Sequence, residues 1–173
     1  MLRKILKFFF YTFFVLGAFS IPIFFTPIGE IPLKTLFQVG NIEKTDFKSL
    51  RLTENPNQYL VCNSHLCSAS FHIESPRFSI PVERLKTLLE KVLSEQKDLE
   101  PQQEMNADLY QDLVQRTRLV RYPDVITVQL QELGPNSSTL AIYSRSVYGR
   151  SDFGVNKDRI DAWLARLKEL ADR

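Results

Sequence analysis

Eighteen consecutive residues without a charge, Phe8 to Phe25, constrain this chain more than any other feature. A bilayer core about 30 Å thick takes ~20 apolar helical residues to cross. The run FFFYTFFVLGAFSIPIFF comes close to that length, and the stem of Lys7 can reach back to the headgroups at its start. Phe on every face leaves no polar stripe, which argues against a helix of a water-soluble core. Arg3, Lys4 and Lys7 precede the run, so the bias of positive charge toward the cytoplasm holds the N-terminus inside and sends the rest outward. Residues 1–26 therefore read as a membrane anchor that meets lipid through residues 5–25. The competing reading is a cleaved secretory signal, with Ala18 and Ser20 as the small residues before a cut. Against cleavage, the apolar run continues through Ile21, Ile23, Phe24 and Phe25. No cysteine lies near the end of the run, which excludes a lipoprotein anchor. Both readings deliver the remaining chain to the same compartment.

Composition matters because it splits at this boundary. Residues 1–34 carry four bases against Glu30, and nine of the thirteen Phe fall in residues 1–37. The whole chain of 173 residues has a net charge of +2, so the rest is close to neutral. That balance excludes a strongly basic nucleic-acid binder. Two cysteines exclude a disulfide-dense mini-protein, and the length leaves room for one globular domain.

Residues 27–54, with Pro27, Gly29 and Pro32, read as a linker. The domain is expected over residues 55–173. Asn55-Pro56-Asn57 is a turn signal leading into a strand at Tyr59–Cys62, with Ser68–Ile73 as its hairpin partner. Pro81 suits a helix start, and Val82, Leu85, Leu89, Val92 and Leu93 predict a helix over residues 82–96. Glu83, Glu90, Glu95, Asp98, Glu100 and Glu104 read as a solvated acidic stretch around its end. Residues 109–122 mix helical and strand signals, and a strand from about residue 112 is favoured. Ile126, Val128 and Leu130 alternate with polar residues, as in a half-buried antiparallel strand. Residues 134–138 turn, and Leu140, Ile142 and Tyr143 open the return. Asn156 reads as the N-cap of a last helix striped by Ile160, Trp163, Leu164, Leu167 and Leu170. The expected class is α+β: an antiparallel sheet covered on one face by two main helices, preceded by one transmembrane helix.

The last third carries a specific string. Ser144-Arg145-Ser146 is followed by Gly149-Arg150-Ser151-Asp152-Phe153-Gly154-Val155-Asn156, and Tyr122-Pro123-Asp124 stands upstream. This resembles the domain-of-unknown-function 1499 family, whose members end in a strand reading S-R-S, a G-R-S-D-x-G-V-N loop and a helix. The likeness covers roughly residues 50–170. Lys157-Asp158-Arg159 departs mildly from the basic residues common after that Asn. Similar members are bacterial and sit in the cell envelope, with related domains in photosynthetic lineages. Joined to the anchor reading, the resemblance implies a single-pass protein of the bacterial inner membrane whose C-terminal domain faces the periplasm. It supplies no catalytic residue.

Three constellations could carry chemistry. Cys62 and Cys67 can form a disulfide, because thiol pairs oxidise outside the cytoplasmic membrane. They can also be two half-buried thiols, or join His65 and His72 as tetrahedral zinc ligands, though C-x2-H-x-C-x4-H is not a usual spacing. Ser64 beside His65 is a weak nucleophile pair, since neighbours on a strand face opposite ways. Arg145, Arg150, Asp152 and Asn156 are a candidate anion site, with Arg116, Arg118 and Arg121 on a strand that could lie nearby. The structural alternative is that Asp152 and Asp124 pair with these arginines and lock the loop to the sheet. Asp124 alone suggests a cap or turn, and Trp163 suggests core. The resulting expectation is a tethered accessory or binding domain, needing no cofactor, that contacts an anionic lipid or a partner protein. The alternative is a hydrolase or transferase using Arg145, Arg150 and Asp152.

Overall fold

The computed structural model describes residues 34–173. The anchor expected over residues 1–26 lies outside the described residues. The described chain falls into two compact units, one comprising Val39–Thr117 with Tyr122–Arg173. The other holds residues 34–38 and Arg118–Arg121.

Six strands form one sheet in the larger unit: β1 (Gln58–Cys62), β2 (Ile73–Glu74), β3 (Leu99–Pro101), β4 (Tyr110–Arg116), β5 (Pro123–Gly134) and β6 (Ser137–Ser146). Two helices accompany them, α1 (Val82–Ser94) and α2 (Val155–Ala171). The strand order is β2-β1-β6-β5-β4-β3. The class is α+β, as expected, but the sheet is mixed, because β2 runs parallel to β1. The expected hairpin over Ser68–Ile73 does not form. Leu66, Ala69 and Phe71 are drawn instead into a hydrophobic cluster on the sheet, and the chain then turns to lay Ile73 beside Val61.

Period-two alternation sets the two faces. Tyr59 and Val61 of β1, Ile126, Val128 and Leu130 of β5, and Leu140 and Ile142 of β6 face the helices. There they meet Leu85 and Leu89 of α1 and Ile160, Trp163 and Leu167 of α2. Trp163 is buried core, as its stripe predicts. The alternate residues Leu60, Cys62, Ala141 and Tyr143 face the other way, against Phe47 and Cys67. Chain on both sides of β1 thus covers the face the helices leave bare.

Two other expectations change. The ambiguous segment gives β4, but Arg118 and Arg121 fall beyond its end, where the Thr117 amide bonds the Tyr122 carbonyl across a turn. β3 arises inside the acidic stretch; its place at the sheet edge is one that tolerates Pro101 and the exposed Glu100.

Candidate functional site

The S-R-S string splits across the sheet. Ser144 and Ser146 share the helix side of β6, and Arg145 faces the other side. Under α2 the serines join a buried polar network. Arg159 Nη2 bonds Asp124 Oδ2 at 2.6 Å, with side chains only 8% and 3% exposed. Arg159 Nη1 also donates to Asn156 Oδ1 at 2.7 Å and to Ser144 Oγ at 3.1 Å. Ser146 Oγ donates to the second oxygen of Asp124 at 2.6 Å. Asn156 Nδ2 reaches the Asn57 carbonyl at 3.2 Å. A buried ion pair is tolerable only when the remaining polar atoms find partners, and here they do. The network fastens β5, β6, α2 and the residue before β1 to one another. These bonds make the network a tie between elements.

Three sequence expectations are corrected here. Asp124 is neither cap nor turn but the buried partner of Arg159. Asn156 does not cap α2; it sits inside the first turn, and Gly154 at φ 85° is the N-cap. The capping acceptor is Asp152, whose carboxylate takes the Gly154 amide at 3.0 Å and the Asn156 amide at 2.8 Å. Arg159, read only as a departure from the string, is the network's cation. The available signal was its place three residues after Asn156, beside the Asn156–Ile160–Trp163 stripe.

The arginines do not gather. Arg150 is exposed in the β6–α2 loop. Arg145 lies 5.0 Å from the Tyr143 ring centroid, a cation–π contact. Its Nη1 is buried and has no hydrogen-bond partner. It lines a 290 Å³ cavity with Val39, Ile42, Glu43 and Val147. Burial of the Tyr143 hydroxyl raises its pKa, which leaves a neutral ring beneath the guanidinium. Asp152 lines a different cavity of 490 Å³, on the helix side, with Tyr59, His72, Ile73 and Lys157. Arg145 and Asp152 thus line different cavities, and Arg150 is exposed on the loop between them in sequence.

The Tyr59 cleft was not anticipated. His72 Nδ1 accepts the Leu60 amide at 3.1 Å, and its ring lies 5.0 Å from that of Tyr59. Burial on that side lowers the His72 pKa, although the residue as a whole is exposed. Tyr59 Oη donates to Asp161 at 3.2 Å, and Lys157 pairs with the same carboxylate at 2.6 Å. Burial, reinforced by Asp161, raises the Tyr59 pKa. No pattern in the sequence joins residues so far apart.

Cys62 and Cys67 are bonded to each other, with Cα atoms 6.2 Å apart. Both sulfurs are consumed, which removes the zinc set with His65 and His72. The enclosed turn is held by the Cys67 amide on the Asn63 carbonyl at 2.9 Å.

Among known families, the model described as Protein of unknown function (DUF1499) matches residues 50–167. No curated protein matches the chain.

Proposed function

This chain belongs to the DUF1499 family, and from that membership and its own residues we propose a membrane-tethered binding domain of the bacterial cell envelope that contacts an anionic lipid headgroup. The tether is the Phe-rich run after Arg3, Lys4 and Lys7. It sets the protein in the inner membrane with the domain in the periplasm. The Cys62–Cys67 pairing supports that side, because structural disulfides persist in oxidising compartments.

Arg145 carries the binding half of the reading. Its Nη1 is a buried donor with no acceptor, and the residue lines a cavity. Such a donor is costly unless something supplies an oxygen. A phosphate oxygen suits a guanidinium fork. Glu43 lines the same cavity and repels a multiply charged anion, so a singly charged phosphodiester fits better than a phosphomonoester.

Mass spectrometry of the detergent-extracted full chain tests both halves. The expected species keeps residues 1–20, lacks the thiol hydrogens of two free cysteines, and carries phospholipid. Folded Arg145→Gln should lose most of that lipid. Full retention by the folded variant removes the headgroup site, and loss of residues 1–20 removes the tether.

A further inference from the structure

The loop joining β6 to α2 turns apolar side chains outward. Phe153 is 95% exposed, Val155 42% and Val147 38%. Phe153 also adopts φ 56°, a left-handed backbone unfavourable for a bulky residue. The loop is held in this shape. Asn57 Nδ2 donates to the Gly149 carbonyl at 2.7 Å, Asp152 takes two amides, and Ser151 Oγ accepts the Phe153 amide at 3.2 Å. A ring fixed in water between two exposed valines is a small apolar surface of the kind that contacts use.

The route of the chain indicates what does. Val39, Asn41, Ile42 and Glu43 share a cavity wall with Arg145, Ser146 and Val147. The chain therefore joins the domain at the end of β6 from which this loop departs. Val39 stands fourteen positions after Phe25, at most ~50 Å of extended chain. A tether through residues 8–25 keeps this end of the domain within that reach of the bilayer. Arg150 is the exposed base of the loop itself; Lys157, in the first turn of α2, is paired with Asp161, and Asp158 is exposed beside it. Aromatic rings with arginine suit the boundary between headgroups and acyl chains of an anionic bilayer.

We propose that the β6–α2 loop is a bilayer-contact surface, with Phe153 entering the headgroup–acyl boundary, Val147 and Val155 flanking it, and Arg150 meeting lipid phosphate. This rests on the tether proposed above and assigns the orientation the tether leaves open. It is a separate contact from the Arg145 cavity.

Full-length Phe153→Trp in vesicles of phosphatidylglycerol and phosphatidylethanolamine tests it. Phe153 is almost wholly exposed, so the larger ring adds no clash, and unaltered protein supplies the baseline of the buried Trp163. Flotation with vesicles reports the tether, and quenching by brominated acyl chains reports the loop. The expected result is blue-shifted emission, quenched more strongly by bromines near the headgroup than by those near the chain end. Arg150→Ala, or phosphatidylcholine in place of phosphatidylglycerol, should reduce the quenching. A chain that floats but emits as in water overturns the loop proposal and leaves the tether standing. Blue-shifted emission without quenching also overturns it, and indicates a protein contact at Phe153. A chain that does not float removes both.

Discussion

Arg159 separates what its residue type suggests from what its position does. A surface arginine pair contributes little, with a median near 0–1 kcal/mol. Arg159 and Asp124 are not at the surface, and removing one partner leaves the other charged and buried. Arg159→Ala should therefore destabilise the domain by about 3–5 kcal/mol. Lys157→Ala, which breaks a solvent-screened pair with Asp161, should cost far less. Urea titrations of the two variants check the contrast, and equal losses would contradict the network. The sequence made half of this legible. Ser144, Arg145 and Ser146 must alternate on a strand, so the serines and the arginine had to part. Yet pairing Asp124 with a loop arginine was as reasonable on paper as pairing it with Arg159. The choice depends on where α2 lands on the sheet, and tertiary packing decides that.

Among the elements, β5, β6 and both helices were legible because each carries its own period. β2 was not, because two exposed residues at an edge have no period to read. What positions β2 is the segment before it, closed by the Cys62–Cys67 bond. With the cysteines only five positions apart, the bond removes modest entropy from the unfolded chain. Cys62→Ala with Cys67→Ala should lower stability by about 2 kcal/mol, as should reduction, measured by thermal unfolding. His72 couples the same edge to pH. Its native pKa lies below the ordinary 6.5, chiefly through burial, so the unfolded chain binds the proton first as pH falls. Stability should decline once pH drops below about 6.5 and level off past the native value. His72 Nδ1 must also stop accepting the Leu60 amide when it is protonated. His72→Gln should flatten the dependence of the melting midpoint between about pH 7 and pH 5. An unchanged slope would place the effect elsewhere.

Taken whole, the domain is a sheet sandwiched between unlike layers. Two amphipathic helices cover one face, and irregular chain around β1 covers the other. The second layer reaches well upstream of β1. Phe47 is only 2% exposed against Leu60, Tyr110 and Tyr143, and Leu50 and Leu52 pack beside it. Thr45 fixes the layer through polar contacts: its amide donates to Tyr110 Oη at 2.9 Å, and its hydroxyl meets that of Thr127 at 3.3 Å. Thr127 in turn donates to the buried Asp112 at 2.7 Å. Removing this segment uncovers apolar side chains and takes one partner each from the Tyr110 and Thr127 hydroxyls, which keep their bonds to Asp112. Phe47→Ala alone should cost about 3–5 kcal/mol. Since a domain of this size holds about 5–15 kcal/mol in total, a chain shortened to begin at Asn55 should not unfold cooperatively. It should bind a hydrophobic dye while keeping much of its far-ultraviolet dichroism. A chain begun at Val39 retains the whole layer and should show a sharp denaturant transition without dye binding. If both shortened chains melt alike, the layer beneath Tyr110 and Tyr143 is dispensable, and the helix face alone supports the fold.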